Sequence, residues 1–164
     1  WELNKNREAF ICFTEVLKLI AYAPMIESST LFLNLGILSL ELNQSLEANH
    51  YLLPALKYAK EAERVEEEIA CNLYLFMAAH QNKQFSEAQQ YLQTLLEQSS
   101  QNSAYEAWVK YKIGSYFYTL KLTVKAKKYL ENAVALFQHY PEAMEQEKEC
   151  LDLLKQIYVQ MALV

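Results

Sequence analysis

Apolar residues recur at intervals of three and four along nearly the whole chain, as in helices that bury one face. Over residues 31–42 the run is Leu35, Leu38 and Leu42, broadened by Phe32 and Ile37. Polar or breaking clusters interrupt the pattern at residues 23–29, 43–45, 62–65, 82–84, 99–103, 121–123 and 140–141. The segments between them predict eight helices, at about residues 4–21, 28–42, 46–61, 65–82, 85–98, 103–119, 123–138 and 141–162. Ser45, Ser86, Ser103 and Thr123 stand where capping residues belong, Ser103 with Glu106 as a capping box. Pro141 suits a first helical turn. Pro54 falls inside the 46–61 helix, where a lost hydrogen bond predicts a kink or local break.

The pattern also repeats at longer range. Ala48-x3-Leu52-x2-Ala55, Ala88-x3-Leu92-x2-Leu95 and Ala126-x3-Leu130-x2-Ala133 are one motif at offsets of 40 and 38, and Ala9-x3-Phe13-x2-Val16 precedes them by 39. A second motif lies upstream of Ala48, Ala88 and Ala126, at Leu35-Gly36, Leu75-Phe76 and Ile113-Gly114, and a last copy at Leu153-Leu154 follows without a second half, the offsets being 40, 38 and 40. A pair of antiparallel helices cannot bury both apolar faces alone, so such pairs stack. Small residues at Gly36, Gly114, Ala48, Ala55, Ala88, Ala126 and Ala133 are expected to let paired helices approach closely.

Composition narrows the choices. Among 164 residues only two are glycine and three proline, while 52% are hydrophobic. Phosphate-cradling loops need glycines that this chain lacks, and sandwiches or barrels need many turn residues. The expected class is all-α. The net charge of −5 argues against direct nucleic-acid contact, and the longest apolar run, residues 69–79, is too short to cross a bilayer. Residues 1–82 carry that whole net charge, with acids at Glu61, Glu63, Glu66, Glu67 and Glu68. Lysines cluster at 110, 112, 121, 125, 127 and 128. Cys12, Cys71 and Cys150 sit in apolar helical stretches, which suits buried reduced thiols and a cytoplasmic protein. His50, His80 and His139 lack metal-ligand spacing, so no metal and no cofactor is expected. No catalytic constellation is apparent, and no enzyme activity is expected.

The units resemble tetratricopeptide repeats, whose pattern runs W-x2-L-G-x2-Y…A-x3-F…P. Leu35-Gly36 and Ile113-Gly114 match the L-G pair, Phe117 the tyrosine, and Ala48, Ala88 and Ala126 the alanine. Phe32, Asn72 and Lys110 stand where the family has tryptophan, most units lack the closing proline, and the period exceeds the usual 34. The resemblance implies a right-handed solenoid of helix pairs forming one domain. It would hold a half repeat at 1–22, full repeats at 28–62, 65–99 and 103–139, and a terminal helix at 141–164. A chain beginning at Trp1 is expected to be part of a longer one, with self-association through exposed solenoid ends.

The resemblance also implies a concave groove, lined by the first helix of each repeat, that binds a peptide or helix of a partner protein. Counting from the matched positions, that face should present Asn34 and Ile37, then Tyr74, Met77 and Gln81, then Trp108, Tyr111, Lys112, Ser115 and Tyr118. Leu33, Leu40, Leu73 and His80 are expected beside them. Its aromatic and aliphatic character favours apolar anchors on the partner. A second possibility is the peptide- or ligand-sensing domain of a bacterial transcriptional regulator. Lys125, Lys127 and Lys128 are expected to face outward, towards solvent or an acidic partner.

Overall fold

The computed structural model describes residues 25–163, together with the helical residues 7, 8, 10–12, 14, 15 and 18. The rest of the helix expected over 4–21, including Ala9, Phe13 and Val16, lies outside the described residues. The described chain is all-α. Its helices are α1 (Met25–Glu41), α2 (Ser45–Glu61), α3 (Val65–Gln81), α4 (Phe85–Ser99), α5 (Ser103–Thr119), α6 (Thr123–Phe137) and α7 (Met144–Ala162). The stretch after Tyr140 opens as a 3-10 turn, Pro141–Ala143, before α7 begins. No strand occurs among the described residues. By packing, the chain forms two compact units, residues 1–95 and 96–164.

Four turns share one geometry. After α1, α2, α3 and α5, residues Asn43, Glu63, Lys83 and Lys121 take φ of 53–62°. In each turn the next amide reaches back five residues: Gln44 N to Ser39 O, Arg64 N to Ala59 O, Gln84 N to Ala79 O and Leu122 N to Phe117 O, all at 2.8–2.9 Å. This closing motif normally takes glycine at the left-handed position. An L-residue there costs about 1–2 kcal/mol. The carbonyl of the last turn residue then accepts the first amide bond of the next helix, as Gln44 O does from Ala48 N at 2.9 Å. Each turn therefore needs only three residues, which sets neighbouring helices antiparallel.

The expected caps are corrected by this geometry. Ser45, Ser103 and Thr123 are the first residues of their helices, and Ser86 lies within α4. The capping positions are Gln44, Asn102 and Leu122, and of these only Asn102 caps with its side chain, accepting from Ala104 N and Tyr105 N. Asn102 takes the role because its backbone is extended (φ −142°, ψ 116°), which aims its amide oxygen at the helix start. Glu106 bonds Lys110 at 2.6 Å instead of closing a box with Ser103. Helix α2 runs unbroken through Pro54.

In the first unit α1 packs on α2, α2 on α3, and α1 on α3; in the second, α5, α6 and α7 repeat that arrangement. Both glycines lie mid-helix and face a leucine of the paired helix. A Cβ on Gly36 would lie 2.4 Å from Leu52 Cδ2, and one on Gly114 would lie 2.7 Å from Leu130 Cγ and 3.1 Å from Leu130 N. Leu52 and Leu130 are completely buried. Glycine in mid-helix costs about 1 kcal/mol relative to alanine, and here it opens the socket that the leucine fills. Ala48, Ala55, Ala88, Ala126 and Ala133 are all buried, as close helix approach requires.

Candidate binding surface

Side chains one repeat period apart meet within each unit. In the first unit Glu67, on α3, accepts from Ser29 Oγ and, at 2.8 Å, from Thr30 Oγ1, both on α1. Arg64 clamps the same carboxylate at 2.6 Å. Ser45 donates to Asn82 Oδ1 at the other end of the unit. In the second unit Ser103 pairs with Tyr140, the Tyr111 hydroxyl donates to Glu149, and the Tyr118 hydroxyl donates to Gln156 at 2.7 Å. These partners stand 37 or 38 residues apart. The repeat is therefore a repeat of contacts as well as of pattern.

On the first unit, Asn34, Ile37, Tyr74 and Met77 are half-buried and Gln81 is exposed. Ile37, Tyr74 and Met77 rest on a core of Leu33, Leu40, Leu52, Cys71 and Leu75. Leu33, Leu40 and Leu73 correct the sequence expectation. All three are buried, and Leu33 and Leu40 are so because α1 and α3 pack directly on each other, in one cluster with Cys71, Leu75 and Ala78. His80 packs its ring between Phe76 and Phe85, tilted to the first and edge-on to the second, with ring centroids 6.1 and 5.5 Å away, so its ring closes the α3–α4 turn.

On the second unit, Trp108, Lys112, Ser115 and Tyr118 form a half-buried strip along α5. Their spacing of four, three and three keeps them on one helix face. The Lys112 ammonium lies 6.0 Å from the Trp108 ring centroid and 5.4 Å from that of Tyr111. Ring quadrupoles hold a cation in that position and fix its direction. Tyr111 was expected to be open to a ligand. It is 9% exposed, packs against Phe137 at 6.4 Å, and its hydroxyl donates a hydrogen bond to Glu149. Burial, then the bond to Glu149, raises its pKa well above the ordinary 10.0. Burial alone takes Tyr116 to about 12.

Cys71 and Cys150 are buried, and burial pushes both thiols up to about 12. Cys12 is exposed, contrary to the expectation for an apolar stretch. Its neighbours Ile11 and Glu15 are exposed too, while Phe10 is half-buried with its ring edge-on to Tyr51, so Cys12 lies on the outer face of this segment. Among the described residues no group of three His, Cys, Asp or Glu side chains is placed to hold a metal ion, and no helix is long and apolar enough to cross a membrane.

Fold and surface together define a helical-repeat protein built from adjacent helix pairs. Compared with known proteins, the chain matches no family model and no curated sequence.

Proposed function

We propose that this chain is a tetratricopeptide-repeat-like interaction module. It binds a peptide or helix of a partner protein on the exposed faces of its first-of-pair helices and performs no catalysis of its own. The observation that carries this reading is the α5 strip: two half-exposed aromatics, Trp108 and Tyr118, flank Ser115, and Lys112 is held in place over a ring. Aromatic rings give large contact area at low entropic cost, and a small residue between them leaves room for an inserted side chain. Ile37, Tyr74 and Met77 offer the first unit a comparable apolar face. A cytoplasmic setting suits the free thiols.

A library of random peptides displayed on phage and panned against the intact chain tests this reading. Enriched peptides should share apolar or aromatic anchors and lose binding to Trp108→Ala and Ser115→Arg, but not to Lys57→Ala on α2. Enriched peptides that bind all of these variants equally, or no enrichment, would overturn it.

A further inference from the structure

We propose that the edge of the second unit where α5 turns into α6 is a second docking surface, sharing only Tyr118 with the α5 strip, for an acidic amphipathic segment of a partner protein. Between Glu106 and Glu131 the sequence holds six lysines and no acid. Three of them are already engaged: Lys110 bonds Glu106 at 2.6 Å, Lys127 lies 3.8 Å from Glu131, and Lys112 rests on its rings. The other three, Lys121, Lys125 and Lys128, are exposed, and none has an ion pair among the described residues. Lys125 sits 5.5 Å from the Phe117 ring centroid, which positions its charge without neutralising it.

These free charges alternate with apolar side chains left open to solvent. Val124 is 74% exposed, and Leu120, Leu122 and Met161 are exposed with it. Beside them lies a depression of about 760 Å³, lined by Tyr118, Thr119, Lys121, Thr123, Gln160 and Met161. Its lining offers an ammonium, hydroxyls, an amide and a thioether, and no carboxylate. The equivalent turns of the first unit lack such a cluster: Glu41 and Glu47 flank the α1–α2 turn, and the α3–α4 turn is mixed, with Lys83 and Glu87.

Cations interleaved with apolar side chains call for acids interleaved with apolar anchors. The charges would set partner choice and encounter rate, and the apolar anchors the residence time. A nucleic acid fits less well, because few ring faces are free for stacking at this edge. Tyr118 is bonded to Gln156, and the Tyr158 ring lies under Lys127, 4.7 Å from its ammonium. The net charge of −5 also repels a long polyanion.

The test pans random peptides on phage against the intact chain at low ionic strength and elutes them with salt. Eluted peptides should be rich in Asp and Glu, with Leu, Ile or Phe at helical spacing. Their affinity, read by fluorescence anisotropy, should fall about tenfold or more on Lys121→Glu with Lys125→Glu. It should also fall for the milder Lys121→Gln with Lys125→Gln, and stay unchanged for Trp108→Ala, so that failure of this edge is distinct from failure of the α5 strip. Circular dichroism checks that each variant remains helical. Eluates without acidic enrichment, or affinity indifferent to the lysines, would overturn the proposal. So would a labelled single-stranded oligonucleotide that binds with the same lysine dependence while acidic peptides do not.

Discussion

The two glycine-bearing helix pairs, α1 with α2 and α5 with α6, have one interior and two exteriors. Inside, Gly36 receives Leu52 just as Gly114 receives Leu130, 78 residues further on. Outside, the next first-of-pair helix is held differently. Between α1 and α3 the contact is mainly aliphatic, with Leu33, Leu40, Cys71, Leu75 and Ala78 in one buried cluster and polar bonds to Glu67 at one end. Between α5 and α7 tyrosines carry it, through Tyr111 with Glu149, Tyr118 with Gln156 and Tyr140 with Ser103. An aliphatic seam is non-directional and tolerates small shifts. A seam of hydroxyl bonds fixes register but loses stability whenever one partner is removed.

The largest effect should come from the shared interior. Leu52→Ala and Leu130→Ala should each cost about 2–5 kcal/mol, measured by chemical denaturation, because both side chains are completely buried. Similar losses at the two sites would uphold their equivalence. A small loss at either one would break it.

The exteriors should then separate. Tyr111→Phe should cost about 1–2 kcal/mol by stranding its bond to Glu149. Tyr74→Phe should be close to neutral, since no hydrogen bond of the Tyr74 hydroxyl occurs among the described residues. Equal losses would contradict the contrast between the seams. The pH dependence sharpens it. The folded chain keeps the Tyr111 and Tyr116 protons above the ordinary 10.0. The stability they confer is whole below pH 10.0 and is lost as pH rises through the folded values. Alkaline melts of Tyr111→Phe should therefore fall less steeply above that pH than those of the parent chain. A steeper fall would show that the hydroxyl does not hold its proton as described.

The smallest effect concerns the shared turns. Glu63→Gly and Lys83→Gly should each raise stability by up to about 1 kcal/mol, since glycine adopts the left-handed conformation without strain. A lower melting temperature for both would show that the turn side chains contribute something the backbone account omits.

The fold was legible because its rules are local and repeated. Spacing alone located every described helix to within a few residues, and the alanine and glycine offsets identified the buried small positions. The places of the turns were legible from the breaking clusters, but their left-handed geometry was not. The left-handed position usually announces itself as glycine, and here both glycines are spent inside helices, leaving Asn43, Glu63, Lys83 and Lys121 to bear the strain. Exposure on the first-of-pair helices was half legible. A helical period tells one face from another, but not which face the next helix pair will cover, so Leu33, Leu40 and Tyr111 were misplaced. A signal was present in the sequence: complementary side chains one repeat period apart, such as Tyr111 and Glu149, are the ones that meet.

The central claim is that the mid-helix glycines exist to receive a leucine, and a double-mutant cycle between positions 36 and 52 tests it most directly. Gly36→Ala should destabilise the parent chain despite the roughly 1 kcal/mol that alanine gains in a helix. In a Leu52→Ala background, with the socket empty, the same substitution should become neutral or stabilising. A stabilising Gly36→Ala in the parent, or the same loss in both backgrounds, would contradict the account.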